Sequence, residues 1–106
     1  MTSTIGMSSF LARYDDGATV VDVREPDEYV AGHVPGAILA PMSQIGHHLP
    51  TIPKDREVYA ICQSGNRSRA MADVMARTGI RAHSVDGGTA AWIATGRPVV
   101  AGVRAR

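Results

Sequence analysis

Glu57-Val-Tyr-Ala-Ile-Cys62-Gln-Ser-Gly-Asn-Arg-Ser68-Arg-Ala-Met-Ala-Asp-Val-Met-Ala-Arg-Thr78 decides the fold: it reads as a strand, a tight loop and a helix. Val58, Ala60 and Ile61 belong to a short apolar run of buried-strand length. Gly65 takes a left-handed backbone at no steric cost. Asn66 and Ser68 are both good helix N-caps. Met71, Val74, Met75 and Thr78 then fall at i, i+3, i+4, i+7 and form one helical stripe. Arg69, Asp73 and Arg77 line another face at four-residue steps. Gly79 stops the helix.

This arrangement puts the single cysteine, Cys62, at the end of a strand and just before a helix. Backbone N–H groups at a helix start are unpaired and carry partial positive charge. A small loop in front of them turns further N–H groups inward as an anion nest. A thiol there is acidified, whereas an ordinary one is only about 3% thiolate at neutral pH. Arg67, five residues on, is the expected cationic neighbour. A lone strand cysteine is more often a small buried hydrophobe. Its place at the strand end, the glycine in the loop and the arginine at the loop's far side reverse that reading.

The bulk composition narrows the classes. A chain of 106 residues, 44% hydrophobic and 20% charged, supports one domain with its own core. The net charge of +1 creates no field for nucleic acid or a membrane surface, so any anion site must be local. One cysteine excludes an internal disulfide and a multi-thiolate metal site, and fits a reducing compartment. There is no apolar run of ~18 residues and no charged-then-apolar leader in Met1–Leu11, so the expectation is a cytoplasmic protein.

The rest of the chain alternates strand and helix signals. Met1–Gly6 reads as loose, with Ile5 starting an edge strand. Ser8 or Ser9 caps a short helix holding Phe10, Leu11 and Tyr14. Thr19–Val23 is a β-branched buried strand. Asp22 and Arg24 close it, at the end where ligands sit in open α/β sheets. They either brace the Cys62 loop or form salt bridges with Glu25 or Glu28. Pro26 opens a short helix that Gly32 ends. His33 is expected to hold the Val34-Pro35-Gly36 turn rather than act in catalysis. Ala37–Ala40 is a short strand and Met42–Leu49 a weak helix. Arg81–Val85 is a strand, Asp86-Gly87-Gly88 a tight turn, and Thr89–Thr95 a helix with Trp92 as a core anchor. Val99–Val103 lies along the surface and Arg104–Arg106 frays. Such alternation implies an α/β fold, a parallel sheet with helices on both faces.

Three blocks resemble the rhodanese-like sulfurtransferase family. They are Asp22-Val-Arg-Glu-Pro-Asp-Glu-Tyr29 running into Gly32-His-Val-Pro-Gly-Ala37, the loop Cys62-Gln-Ser-Gly-Asn-Arg-Ser68, and Asp86-Gly-Gly88 followed by Trp92. The resemblance covers residues 5–100 of a single domain spanning residues 1–106. It implies a three-layer α/β/α domain with a mainly parallel five-stranded sheet, order 1-5-4-2-3. It also implies transfer of a sulfane sulfur through a Cys62 persulfide, from thiosulfate or a protein persulfide to cyanide or a thiol. Gln63, Ser64, Gly65, Asn66, Arg67 and Ser68 would form the anion-binding loop, with Asp22 and Arg24 in support. No metal, cofactor, nucleic acid or membrane is expected. Related phosphatases of the cell-cycle type use Cys-x5-Arg, whereas Cys62 to Arg67 is Cys-x4-Arg, a ring better sized for sulfur than phosphate, which sets a phosphatase or arsenate reductase below the sulfurtransferase reading. Many efficient thiosulfate users carry a basic residue directly after the cysteine. Gln63 and Ser64 make this loop less cationic, which brings in a protein persulfide or another low-charge donor. The alternative from a different class is a non-catalytic binding or regulatory module of the same fold.

Overall fold

The computed structural model describes residues 2–106; Met1 lies outside the described residues. In chain order the elements are β1 Thr4–Ile5, α1 Met7–Asp15, β2 Thr19–Asp22, α2 Pro26–Ala31, β3 Ile38–Leu39, α3 Ile45–His48, β4 Glu57–Ile61, α4 Asn66–Arg77, β5 Arg81–Val85 and α5 Gly88–Ala94. All strand pairs are parallel and the order is β1-β5-β4-β2-β3. β4 is central, with Val58–Ile61 opposite Thr19–Asp22 of β2 and Glu57–Ala60 opposite Arg81–Ser84 of β5.

Both faces of the sheet are covered, which is why β2 and β4 read as apolar runs rather than alternating patterns. Successive side chains still point to opposite faces. Val58, Ala60 and Cys62 join Val21, Val23, Ala72 and Met75 in one core. Tyr59 and Ile61 join Phe10, Val20, Val85 and Trp92 in the other. Trp92 is 1% exposed, donates its indole N–H to Pro98 O (2.9 Å), and meets Phe10 and Tyr14 edge-on. Cys62 thus shares the face that α4 covers.

Several local expectations shift. The cap of α4 is Gly65 at φ +118°, not Asn66 or Ser68; Asn66 is the first helical residue and Ser68 turns inward. The buried stripe of α4 is Ser68, Ala72 and Met75, so Val74 is half-buried and Thr78 exposed. Small residues face the sheet because α4 packs closely on β4 and β5. α1 begins at Met7 with Gly6 as its cap, so neither Ser8 nor Ser9 caps it. The stretch Met42–Leu49 breaks into a 3-10 turn and the short α3.

Among the described residues, the segments at Ser3–Ile5 and Val100–Ala105 are tied down rather than loose. Ser84 N donates to Ser3 O (2.8 Å) and Asp86 N to Ile5 O (2.9 Å), because β5 would otherwise expose an unpaired edge. At the other end His33 and Val100 exchange backbone hydrogen bonds of 2.9 Å, and Gly36 N donates to Ala105 O (2.8 Å). The fully buried His33 ring sets Nδ1 2.8 Å from Tyr29 O and Nε2 2.8 Å from Arg104 O, and stacks on Tyr29. The histidine therefore anchors both its own turn and the C-terminal segment, and Arg104–Arg106 does not fray.

Candidate active site

The site is assembled where β4 ends and α4 begins. Cys62 is 1% exposed, yet its Sγ is not surrounded only by carbon. Gly65 N donates to it at 3.1 Å and Ser68 N at 3.3 Å, and Ser68 Oγ lies 3.5 Å away. The positive φ of Gly65 turns the chain so that these amides face inward. Burial pushes the Cys62 thiol up. The Ser68 hydroxyl and the amides of Ser68, Gly65 and Ser64 outweigh it, so the thiol lies below its ordinary value.

Behind the sulfur sits a residue the sequence did not flag. Ser84, fully buried on β5, places its hydroxyl 2.8 Å from Ser68 Oγ, and Ser68 Oγ lies 3.1 Å from Gly65 O. With Ser84 donating, the Ser68 proton is free to turn toward Gly65 O or toward a sulfur anion. Ser68→Ala removes the strongest of the interactions that lower the thiol. The pH profile of iodoacetamide alkylation is expected to move to higher pH, with a severalfold slower rate at neutral pH. An unmoved profile would show that the amides alone set the thiol's acidity.

Arg67 is placed differently from the sequence expectation. It does not point a free cation at Cys62. It forms a two-pronged pair with Glu28, Nη1 to Oε1 at 2.7 Å and Nη2 to Oε2 at 2.8 Å. Arg67 still interacts with Cys62 through its charge, but the contributions that lower the thiol come from the Ser68 hydroxyl and the amides of Ser68, Gly65 and Ser64. Glu28 is recruited locally: α2 opens with a capping box in which Glu28 also accepts from Glu25 N. The Arg67 hydrogen bonds push Glu28 down to about 2. Its stabilising contribution is therefore full above the ordinary carboxylate value of 4.5 and is lost as pH falls through about 2. In urea titrations Glu28→Gln should be less stable than the parent by about 1 kcal/mol at neutral pH, a modest figure for a partly exposed pair. The gap should close as the pH drops across that window. A gap independent of pH would show that the pair contributes through packing alone.

Asp22 and Arg24 pair with one another rather than with Glu25 or Glu28. Asp22 is fully buried and accepts from Arg24 N (3.0 Å), Nε (3.0 Å) and Nη2 (2.7 Å). Arg24 then spans to Gly32 O (2.9 Å) and, through Nη1, to the Gln63 side chain at 3.3 Å. The link from β2 to the loop runs through that one contact. Gln63, Ser64 and Asn66 are exposed on the loop's outer side.

The loop's back is held by α5. Thr89 N donates to Cys62 O (2.8 Å) and Ala90 N to Gln63 O (3.1 Å). Beside it opens a recess of about 280 Å³ lined by Arg24, Glu28, Gln63, Thr89, Ile93 and Val99 among others. Two further clefts, about 250 and 370 Å³, lie at the opposite strand ends around Glu57 and Tyr59. We place the site at Cys62, because the amides and the carboxyl ends of the strands converge there.

The rhodanese-like domain family matches residues 7–95, and the chain belongs to that family. A sulfurtransferase of Allochromatium vinosum is 38% identical over 104 residues, covering 95% of this chain and 97% of the relative. The crystal structure of a rhodanese-related protein from Thermoplasma volcanium superposes with a TM-score of 0.85 at 32% identity, covering 92% of this chain and 97% of that one. A thiosulfate sulfurtransferase of Pseudomonas aeruginosa matches 96% of this chain with 20% of its own length, at 31% identity and a TM-score of 0.78. Family and relatives together support a function of the sulfurtransferase type.

Proposed function

We propose that this protein carries a sulfane sulfur as a persulfide on Cys62. The Cys62 thiolate attacks the outer sulfur of a donor. A new S–S bond forms to Sγ, and the donor's S–S bond breaks with its electron pair leaving on the departing group, sulfite when the donor is thiosulfate. An acceptor thiolate or cyanide then attacks the outer sulfur and restores the Cys62 thiolate. This is covalent catalysis in two half-reactions.

The observation that carries this reading is the pair of N–H groups from Gly65 and Ser68 directed at Sγ. Preorganised amides stabilise a developing sulfur anion without reorganisation, as they do an oxyanion. Arg67 uses one N–H of each terminal nitrogen on Glu28, which leaves further donors for the incoming group. Asp22 and Arg24 position the loop through Gln63. The test is intact mass after incubation with thiosulfate or an organic persulfide. A gain of about 32 Da on Cys62, removed by a thiol chase, is expected. No gain with either donor would sink the reading and favour a non-catalytic module.

A further inference from the structure

A second chain of polar side chains lies at the other end of β4 from Cys62. Glu57 opens β4, and His83 sits on β5 opposite Tyr59. Glu57 Oε1 lies 2.6 Å from His83 Nε2, and His83 Nδ1 lies 2.6 Å from Ser3 Oγ. Arg81 Nε holds the other Glu57 oxygen at 3.0 Å. The Tyr59 ring stacks on the imidazole with centroids 5.3 Å apart and fixes its plane. The proton positions follow from the partners. The His83 hydrogen bond holds Glu57 below its ordinary range, so at neutral pH it is a carboxylate, which only accepts. In the neutral imidazole Nε2 therefore carries the hydrogen, and Nδ1 accepts from the Ser3 hydroxyl. A serine hydroxyl donating to an imidazole that a carboxylate orients is an activated nucleophile, recognised by roles and geometry rather than by sequence position.

We propose that Ser3, activated by His83 and Glu57, is a second nucleophile of this protein and takes the acyl group of a small carboxylic ester. The ester sits in the cleft of about 370 Å³ that Thr4, Ile5, Arg13, Tyr59 and His83 help to line. That volume is at the small end of ligand pockets. Ile5 and the Tyr59 ring supply apolar wall. Arg13 supplies charge: it forms no ion pair among the described residues, so its guanidinium is available to a developing oxyanion. Ser3 is exposed, and an ester can reach it. Ser3 Oγ attacks the carbonyl carbon as its proton passes to His83 Nδ1. The tetrahedral adduct collapses, the ester C–O bond breaks, and His83 returns the proton to the departing oxygen. Water, deprotonated by His83, then attacks the acyl carbon and releases the acid and the Ser3 hydroxyl. Ester and water are the only reactants, and nothing is oxidised or reduced.

The experiment follows p-nitrophenyl acetate hydrolysis by the full chain carrying Cys62→Ser, so that the thiol cannot take the acetyl group. Ser3→Ala added to that chain should lower the rate about 100-fold, and His83→Gln by a similar factor, the lower end of what a positioned general base supplies. Arg13→Gln, on the exposed side of α1, should lower kcat about 10-fold, less than a buried oxyanion donor would. An alkyl fluorophosphonate, which labels activated serine hydroxyls without turning over, should be found on Ser3 by peptide mapping and should be lost from Ser3 in His83→Gln. The same three residues could serve only to clasp β1 to the sheet. Ser3→Ala would then lose stability in urea while the hydrolysis rate stayed as in the parent. That result, or a fluorophosphonate label found only at other residues, overturns the proposal and leaves the Cys62 chemistry untouched.

Discussion

Cys62→Ser is expected to take up no sulfur from any donor, with transfer falling at least ~10³-fold to background, as for loss of a covalent nucleophile. The fold should survive. Serine is slightly smaller, and its oxygen can still accept from the amides of Gly65 and Ser68 that now face the sulfur. Its hydroxyl has Ser68 Oγ as a partner on the same side. Stability in urea should therefore change by no more than about 1 kcal/mol, the scale of one altered hydrogen bond. Intact mass, a thiocyanate assay and a denaturation curve on the variant check both halves. Sulfur transfer that persists in Cys62→Ser would assign the chemistry elsewhere. A variant that fails to fold would show that Cys62 has a packing role in the core it shares with Val58 and Ala60.

The second large effect is at Gly88, where α5 crosses behind the loop. A Cβ there would stand 2.4 Å from Cys62 O, 2.7 Å from Gln63 O and 2.8 Å from Gln63 C. All three are backbone atoms of the site itself, so no side chain can swing aside. The residue also sits at φ +56°, which costs an L-residue roughly 1 kcal/mol. Overpacking adds about 1–3 kcal/mol. Gly88→Ala should lose about 2–4 kcal/mol in urea titration, the sum of these two costs. A displacement near 1 Å at the sulfur would cut kcat/KM by about 100-fold. Gly96 supplies the control. It has φ +86°, but a Cβ added there would meet nothing within 4 Å, so Gly96→Ala should show only the backbone cost and keep activity. If Gly88→Ala behaves like Gly96→Ala, the close approach of α5 does not shape the loop.

These two positions differ in how they could be seen. Cys62 stood out because strand, glycine and helix signals met at one residue, all within a few positions of it. Gly65 stood out for the same reason, and its φ of +118° follows from the chain having to turn from β4 into α4. Gly88 looked like an ordinary turn glycine. What demands glycine there is the backbone of Cys62 and Gln63, brought against it only when β5 lies beside β4.

Arg67 shows the same divide in a charged group. Its spacing from Cys62 was legible, and the reading that it faces the sulfur was reasonable for a loop considered alone. Glu28 is 39 residues away in sequence and reaches Arg67 because β2 neighbours β4 and α2 follows β2. Glu28 was legible as an ion-pair candidate, but for its near neighbour Arg24 and not for Arg67. Ser84 and Thr89 had less: a small polar residue in a strand and another at a helix start carry no pattern.

The amino-acid order by itself determined the alternation of strands and helices, the two-sided burial of β2 and β4, and the strand-loop-helix unit that carries Cys62. Those follow from periodicity, β-branching and glycine placement, which act between near neighbours. Tertiary structure alone decided which partners meet: Glu28 on Arg67, Ser84 behind Ser68, Gly88 against the Cys62 carbonyl, and the C-terminal segment against His33. Each of those contacts joins residues whose separation along the chain is bridged only by the order of strands in the sheet, and no local preference encodes that distance.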